Sequence, residues 1–186
     1  GWVLALTSEL GQAEAYIHAA EQRLGQSGQP ELGLLHALRG FVALLDRQEY
    51  ATAIQSATSA LQTLRQDQPR WRIIALWVLA EAQERTQAIG QAIATLREAA
   101  KTSRKAGDQI FAVIAENSLA SALNLCAQRQ EAIAVCEQAI QRYSDSAGRP
   151  SPLAAPLYSR MGMLHYEANQ LELARQCHEQ ALALGR

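Results

Sequence analysis

Small and apolar positions recur along this chain at a spacing of about 40 residues. Five segments each carry two alanines seven positions apart, usually with an apolar or bulky residue between them, and we call each segment an alanine stripe. The alanine pairs are Ala13/Ala20, Ala53/Ala60, Ala92/Ala99, Ala132/Ala139 and Ala174/Ala181. Because positions offset by four and seven lie on one face of an α-helix, each stripe predicts a helix that another helix can approach closely.

A second predicted helix precedes each of the last four stripes and carries its own small contact residue. Ala80, Ala120 and Gly162 each lie twelve positions before the first alanine of the following stripe. The first of these pairs departs from the pattern, because Gly40 lies thirteen positions before its stripe and Phe41 occupies the expected small site. Short polar turns separate the two helices of a pair, at 47–49, 86–87, 128–130 and 169–170.

The periodicity predicts four complete helical hairpins preceded by half a pair, all within one all-α domain over residues 1–186. The half pair covers 1–24, and the hairpins cover about 31–66, 70–106, 109–143 and 152–184. One hairpin cannot bury its own apolar face, so we expect the hairpins to stack into a right-handed α-solenoid. The chain opens within an apolar helical pattern, and we therefore expect it to be a fragment of a larger protein.

Composition and charge favour a helical interaction module and exclude several classes of protein. The chain is 48% hydrophobic and 5% aromatic, and the helix formers alanine, leucine and glutamine are abundant in it. With 17 basic and 18 acidic residues, it lacks the basic excess of proteins that bind nucleic-acid phosphates. No apolar run is long enough to span a bilayer, so we expect no membrane contact, and the first ten residues lack the basic start and cleavage site of a signal peptide. The three cysteines fit a reducing, cytoplasmic setting better than a disulfide framework.

The reactive residue types form no catalytic or metal-binding set in the sequence. His18, His36, His165 and His178 lie on different repeats, and the acidic residues are scattered over helix faces that we expect to be exposed. We therefore expect no enzyme activity, no bound metal and no cofactor.

Three cysteines in a chain of this length predict free thiols in a reducing compartment. Cys126 and Cys136 fall on paired helices of one hairpin, where a thiol pair is favoured over a disulfide. Cys136 and His178 occupy the same position in their stripes, and Cys177 adjoins His178. A metal site needs three or four convergent ligands, so we interpret Cys136 and His178 as buried packing residues.

The small/large pattern resembles the tetratricopeptide repeat (TPR), with leucine–alanine or methionine–glycine on the first helix and Ala-x3-bulky-x2-Ala on the second. The step of about 40 residues is longer than the 34 of the standard repeat. The last hairpin narrows the resemblance. Its segments LHYEANQLELA from Leu164 and QALALGR from Gln180 look like the sensor domain of MalT-like, LuxR-type transcription regulators.

Such regulators are large ATP-dependent proteins with a nucleotide-binding module first, TPR-like repeats next and a helix-turn-helix last. This chain contains neither the G-x4-G-K-[S/T] loop that cradles phosphates nor a basic recognition helix. The resemblance therefore implies that the chain is the middle of a regulator, where a signal is sensed. The alternative is a scaffold TPR module for protein–protein interaction in another multidomain protein.

In TPR-like stacks the first helix of each pair lines the concave groove, and aligning the repeats places ten residues there. The predicted groove residues are Trp77, Glu81, Glu84, Asn117, Ser121, Asn124, Ser159, Arg160, Met163 and Tyr166. Aromatic and amide groups on a groove suit a protein or peptide partner, or a small inducer such as an oligosaccharide stacked on Trp77 or Tyr166. The alternative is the solvated polar face that any soluble helix needs.

A basic stripe follows the second helix of the 70–106 hairpin, with members Arg97, Lys101, Arg104 and Lys105. It could dock phosphate or an acidic partner. We favour a solvated outer face whose charges are well placed near a helix C-terminus.

Overall fold

A computed structural model of the chain describes residues 15–20, 22 and 29–185. The helices are α1 (Gln29–Val42), α2 (Tyr50–Thr63), α3 (Pro69–Arg85), α4 (Ile89–Lys105), α5 (Gln109–Leu125), α6 (Arg129–Arg142), α7 (Ala155–Glu167) and α8 (Leu171–Leu184). Two short turns have other helical geometries. A π-helical turn, Ala43–Arg47, follows α1, and a 3-10 turn, Pro152–Ala154, precedes α7.

The helices pack as adjacent pairs, and the predicted all-α fold of helical hairpins is confirmed. Helix α1 packs on α2, α5 on α6 and α7 on α8. Helices α3 and α4 are linked through Thr95, whose buried hydroxyl donates to Gln83 Oε1 at 2.8 Å. The chain divides into two compact units between Thr95 and Leu96, within α4. The first unit contains α1 to α3, and the second contains α5 to α8.

The alanine stripes lie in the helix contacts of the hairpins. The stripe alanines with no exposed surface are Ala53, Ala60, Ala92, Ala99, Ala132 and Ala139. Ala174 is also buried, Ala20 and Ala181 are half-buried, and Ala13 lies outside the described residues. Because a methyl group is the only side chain at these points, the helix backbones come close together there.

The extra residue of the first hairpin is absorbed by the π-helical turn. A π-helix bonds residues five apart instead of four, and the Gln48 N–H accordingly donates to the Ala43 carbonyl. Gly40 therefore keeps the contact position despite its shifted spacing. A Cβ on Gly40 would lie 3.3 Å from the Ala57 nitrogen and 3.4 Å from the Ala53 carbonyl oxygen.

Each turn inside a pair contains one residue with left-handed backbone geometry, five positions before the stripe alanine. These residues are Gln48 (φ 53°), Gln87 (φ 65°), Ala127 (φ 58°) and Asn169 (φ 58°). After α3, the Ala88 N–H donates to the Gln83 carbonyl at 2.8 Å, and after α5 the Gln128 N–H donates to the Leu123 carbonyl at 2.9 Å. Bonds of this span around a left-handed residue form a Schellman motif, which ends the helix at a fixed place.

Ala127→Gly is expected to raise the free energy of unfolding by about 0.5–1 kcal/mol, because glycine adopts the left-handed conformation without the Cβ clash that alanine carries. Urea unfolding followed by circular dichroism measures the change. Ala94→Gly is the matched control, since Ala94 is exposed within α4. The control should lower stability by about 0.5–1 kcal/mol. Equal effects at the two positions would contradict the assigned turn geometry.

Gly162 on α7 is in close contact with a side chain of α8. A Cβ at this position would lie 2.6 Å from His178 Cε1 and 2.7 Å from His178 Nε2. The imidazole of His178 therefore packs directly on the bare backbone of Gly162. A glycine is needed here because of its missing side chain, not because of an unusual backbone angle.

Gly162→Ala is expected to lower the free energy of unfolding by about 1–2 kcal/mol, since overpacking outweighs the gain in helix propensity. In a His178→Ala background, Gly162→Ala should leave the free energy of unfolding unchanged or raise it. Gly90→Ala in α4 is the matched control, because nothing lies within 4 Å of the added methyl group, and it should stabilise. A double-mutant cycle by urea unfolding measures the coupling, and a coupling near zero would contradict the contact.

Candidate functional site

Two of the predicted groove residues, Trp77 and Glu81, line a cavity of about 260 Å³ in the first unit. The other residues of its wall are Leu44, Leu45, Gln48, Tyr50 and Arg85. We call this space the Trp77 cavity. It combines an indole, a phenol and two leucines with a carboxylate, a guanidinium and an amide.

Helix α3 supplies one wall of the Trp77 cavity. Trp77, Glu81 and Arg85 follow at intervals of four residues, so all three side chains lie on one face of the helix. The indole of Trp77 is half-buried and contacts the buried ring of Phe41, with ring centroids 6.0 Å apart and the planes tilted by 43°. Phe41 thus supports the indole from the protein interior.

The first hairpin supplies the other wall of the Trp77 cavity at its turn. Leu44 and Leu45 belong to the π-helical turn, Gln48 is the left-handed turn residue, and Tyr50 begins α2. Leu45 is 47% exposed, so the turn presents an apolar side chain at the wall of the cavity. Inserted π turns recur at functional sites because they displace side chains from regular helix positions.

The Trp77 cavity has the mixed character of a site for a polar molecule with an apolar face. Rings such as those of Trp77 and Tyr50 can stack on a sugar ring or on an apolar peptide side chain. Glu81 and Arg85 offer hydrogen-bond acceptors and donors beside those rings. Glu84, the third groove residue predicted on α3, is half-buried and does not line the cavity.

In the second unit, two of the predicted groove amides are joined to the neighbouring hairpin. Arg160 Nε on α7 donates to Asn117 Oδ1 on α5 at 3.2 Å, and Asn124 Nδ2 donates to Glu167 Oε2 at 2.7 Å. The repeat alignment thus brings Asn117 and Arg160 together. The Asn117–Arg160 and Asn124–Glu167 hydrogen bonds both join α5 to α7. These polar groups therefore serve partly to hold the two helices together.

The remaining predicted residues of the second unit form a strip of mixed character on the same two helices. Ser121 and Ser159 are half-buried, whereas Met163 is 47% exposed and Tyr166 is 67% exposed. A partner on this strip would meet two exposed apolar side chains beside the Asn117–Arg160 and Asn124–Glu167 bonds.

Among the residues that the structure describes, one acidic residue is buried, contrary to our expectation that the acidic residues lie on exposed faces. Glu116 on α5 is 1% exposed. Arg104 Nη1 and Arg142 Nη2 both donate to its Oε1, at 2.6 and 2.7 Å, and the Tyr143 hydroxyl donates to its Oε2 at 3.2 Å. The carboxylate thereby joins α4, α5 and the end of α6.

The burial of Glu116 had a signal in the sequence. Its offsets of four from Ala112 and seven from Leu123 place it within the apolar stripe of α5, and both of those residues are fully buried. Loss of solvation and the neighbouring Glu116 carboxylate raise the pKa of Tyr143 to about 12, so the phenol keeps its proton at neutral pH. Its hydrogen bond to the carboxylate therefore persists throughout the physiological range.

The basic stripe on α4 divides between solvent and the protein interior. Arg97 forms an exposed ion pair with Glu131 at 2.6 Å, and Lys101 and Lys105 are exposed, as a solvated face would have them. Arg104 is the exception, because its guanidinium reaches the buried Glu116. Part of the stripe is therefore structural.

The cysteines are free thiols in different environments: Cys126 is exposed, Cys136 is buried and Cys177 is half-buried. Burial raises the pKa of Cys136 to about 12, although nearby Arg160 acts in the opposite direction. The Cys136 thiol is therefore uncharged and unreactive at neutral pH, in keeping with a packing role. Within the described part of the chain, no three His, Cys, Asp or Glu side chains converge as metal ligands.

Comparison with known proteins identifies the repeat family. The family model of the MalT-like TPR region matches residues 33–186. The chain belongs to the MalT-like TPR family. This confirms the TPR resemblance of the stripes and the MalT-like resemblance of the last hairpin, and the TPR repeat is generally a non-catalytic scaffold for protein interaction. A comparison with curated proteins gives no match.

Solved structures share the fold of this MalT-like TPR chain at low sequence identity. BtubC (BKLC) from P. vanneervenii is 22% identical, with a TM-score of 0.73 over 97% of this chain and 73% of its own. The apo form of RapI is 11% identical, with a TM-score of 0.82 over 99% and 67% of the two chains. MamA is 17% identical, with a TM-score of 0.67 over 94% and 89%.

These likenesses establish a TPR-like arrangement of hairpins and carry no further function to the chain. None of the described helices is long and apolar enough to cross a membrane.

Proposed function

We propose that this chain is the non-catalytic module with which a MalT-like, LuxR-type transcription regulator senses a signal or partner. The observation that carries the proposal is the Trp77 cavity, an aromatic and charged recess within a chain of the MalT-like TPR family. A concave site with apolar walls and a few convergent polar groups is what binding requires. On this proposal the chain needs no cofactor and acts in the cytoplasm.

The ligand is a protein or peptide partner, or a small inducer such as an oligosaccharide. Trp77 and Tyr50 supply the stacking surfaces, while Glu81 and Arg85 supply hydrogen bonds that fix orientation. Direct contact with nucleic acid is not expected of this chain, because its net charge is −1. The strip of the second unit that contains Met163 and Tyr166 is a separate candidate surface for a partner.

The wall of the Trp77 cavity explains how binding would be transmitted. One wall comes from the first hairpin and its π-helical turn, and the other comes from α3. A ligand that touches both walls binds one arrangement of them more tightly and shifts the population toward it. Such a shift is what biases a regulator between resting and active states.

An induction assay with the parent protein tests the proposal. A reporter under the parent's control should lose induction in Trp77→Ala at unchanged protein level. Gln138→Ala is the control, because Gln138 is exposed on α6 and belongs neither to the wall of the Trp77 cavity nor to the predicted groove. The triple change Asn117→Ala, Asn124→Ala, Tyr166→Ala tests the second surface separately. Induction that survives all of these changes would contradict the proposal.

The flanking gene sequence decides between the regulator and the scaffold alternative. A nucleotide-binding motif upstream and a helix-turn-helix downstream are expected. Their absence on both sides would favour a scaffold TPR module, for which the Trp77 cavity would serve a protein partner.

A further inference from the structure

We propose that the second unit carries a binding site for a small organic carboxylate, beside the buried Glu116. A cavity of about 270 Å³ opens there. Its wall is formed by Arg104, Gly107, Gln109, Ala112, Arg142 and Tyr143. We call it the arginine cavity. It is built from the α4–α5 turn and the end of α6, and it shares no residue with the predicted groove.

In the described ion pairs at the arginine cavity, two cations share one carboxylate. Two guanidinium groups, Arg104 and Arg142, face the single carboxylate of Glu116, and both bond the same oxygen atom. Each arginine side chain is 40% exposed, whereas Glu116 is 1% exposed. The uncompensated positive charge therefore lies at the cavity wall and not in the protein interior. Asp108, the nearest acidic residue in sequence, is outside the wall and accepts the Phe111 N–H at 3.2 Å.

The guanidinium groups also have donors to offer a ligand. A guanidinium carries five N–H groups in a planar fork that matches a carboxylate. Among the described residues, each of the two arginines bonds Glu116 through one nitrogen. The other N–H groups on the exposed side of Arg104 and Arg142 are placed to bind a second carboxylate, and the Gln109 amide lies on the same wall.

The wall of the arginine cavity favours an organic acid that has an apolar group next to its carboxylate. The ring of Tyr143 is the apolar surface next to the two guanidiniums, whereas Gly107 has no side chain and Ala112 has no exposed surface. An excess of one positive charge matches a monoanion better than a phosphate dianion. The volume of about 270 Å³ lies just below the roughly 300–1,000 Å³ of ordinary ligand pockets, so the ligand group is small.

Benzoate is the probe for this site, and benzyl alcohol is its neutral counterpart of similar shape. Saturation-transfer NMR and a titration at low ionic strength, both on the 186-residue chain, should show benzoate binding at least tenfold more tightly than benzyl alcohol. Raising the salt concentration should weaken benzoate binding, because the interaction is electrostatic. Equal binding of the two probes, or no binding of benzoate at 10-fold excess over its expected millimolar range, would overturn the proposal.

Two variants are expected to change benzoate affinity in opposite directions. Arg142→Met removes one guanidinium and should weaken binding at least tenfold. Glu116→Gln removes the competing carboxylate, doubles the excess charge and should tighten binding at least threefold. Arg97→Met is the matched control, because Arg97 lies on the same helix α4 but pairs with Glu131 outside the cavity, and it should change affinity less than twofold.

The opposite signs keep the test decisive if one variant is poorly folded. Should Arg142→Met fail to fold, Arg142→Lys keeps the charge but loses the planar fork and should still weaken benzoate binding. Unchanged affinity in Glu116→Gln and in the folded arginine variant would overturn the proposal.

A second probe distinguishes the source of the carboxylate. Acetyl-Ala-Ala-Phe with a free C-terminal carboxylate is compared with its amide. Tighter binding of the free acid than of benzoate identifies a peptide terminus as the ligand and supports the site. The reverse order identifies a free small acid and supports it as well, whereas equal binding of acid and amide contradicts a carboxylate site.

Discussion

Replacing Arg104 and Arg142 together by methionine is expected to lower the free energy of unfolding by about 3–5 kcal/mol. The change leaves the Glu116 carboxylate, 1% exposed, with only the Tyr143 hydroxyl as a described partner. A buried charge without a counter-ion loses its hydration and gains nothing in return. Urea unfolding followed by circular dichroism measures the loss.

The same experiment includes a rescue. Adding Glu116→Leu to the double variant should recover most of the lost stability, because no charge is then left buried. Arg97→Met is the control, since its ion pair with Glu131 is exposed on both sides, and it should change stability by less than about 0.5 kcal/mol. A triple variant as unstable as the double one would show that the arginines act through packing alone.

Ala132→Leu is expected to lower the free energy of unfolding by about 1–3 kcal/mol through overpacking. Ala132 has no exposed surface and lies where α6 meets α5, so three added carbon atoms force the helices apart. Thermal or urea unfolding measures the change. The cost should appear mainly as loss of cooperativity or stability, with the helical circular dichroism signal largely kept.

Ala94→Leu is the matched control for the stripe. Ala94 lies two positions after a stripe alanine, on the exposed side of α4. Leucine there adds the same atoms without meeting another helix, and we expect a change within about 0.5 kcal/mol. Similar costs at the stripe and the control would contradict the assignment of the stripe alanines as helix contacts.

The hairpins were predictable because their determinants repeat. Alanine pairs seven residues apart, with small residues twelve positions upstream, recur often enough to identify the contact face without knowledge of the partner helix. The turns were predictable only in position. That Ala127 and Gln87 adopt left-handed geometry follows from the Schellman bonds and not from their residue types, which seldom adopt it.

The first hairpin could not be derived from the repeat. The shifted position of Gly40 indicated an irregularity, but the sequence does not tell whether one extra residue becomes a loop, a kink or a π-helical turn. The cavity residues Leu44, Leu45 and Gln48 were missed for that reason. Arg85 could have been predicted from the sequence, because it follows Trp77 by eight residues on the same helix face.

The burial of Glu116 shows a different limit of prediction from the sequence. The place of Glu116 in the apolar stripe of α5 indicated burial, but it did not identify the three donors from two other segments that make the burial favourable. Arg142 and Tyr143 lie 26 and 27 positions from it in sequence. Only the packing of α4 and α6 against α5 brings these groups together.

The most direct test of the account is whether a ligand binds at the Trp77 cavity. The 186-residue chain is titrated with maltotriose, cellotriose, chitotriose and short apolar peptides by isothermal calorimetry and tryptophan fluorescence. We expect at least one probe to bind with one-to-one stoichiometry, Trp77→Ala and Glu81→Ala each to weaken its binding at least tenfold, and Gln138→Ala to leave its affinity unchanged. Binding that persists in the Trp77→Ala, Glu81→Ala double variant would contradict the account.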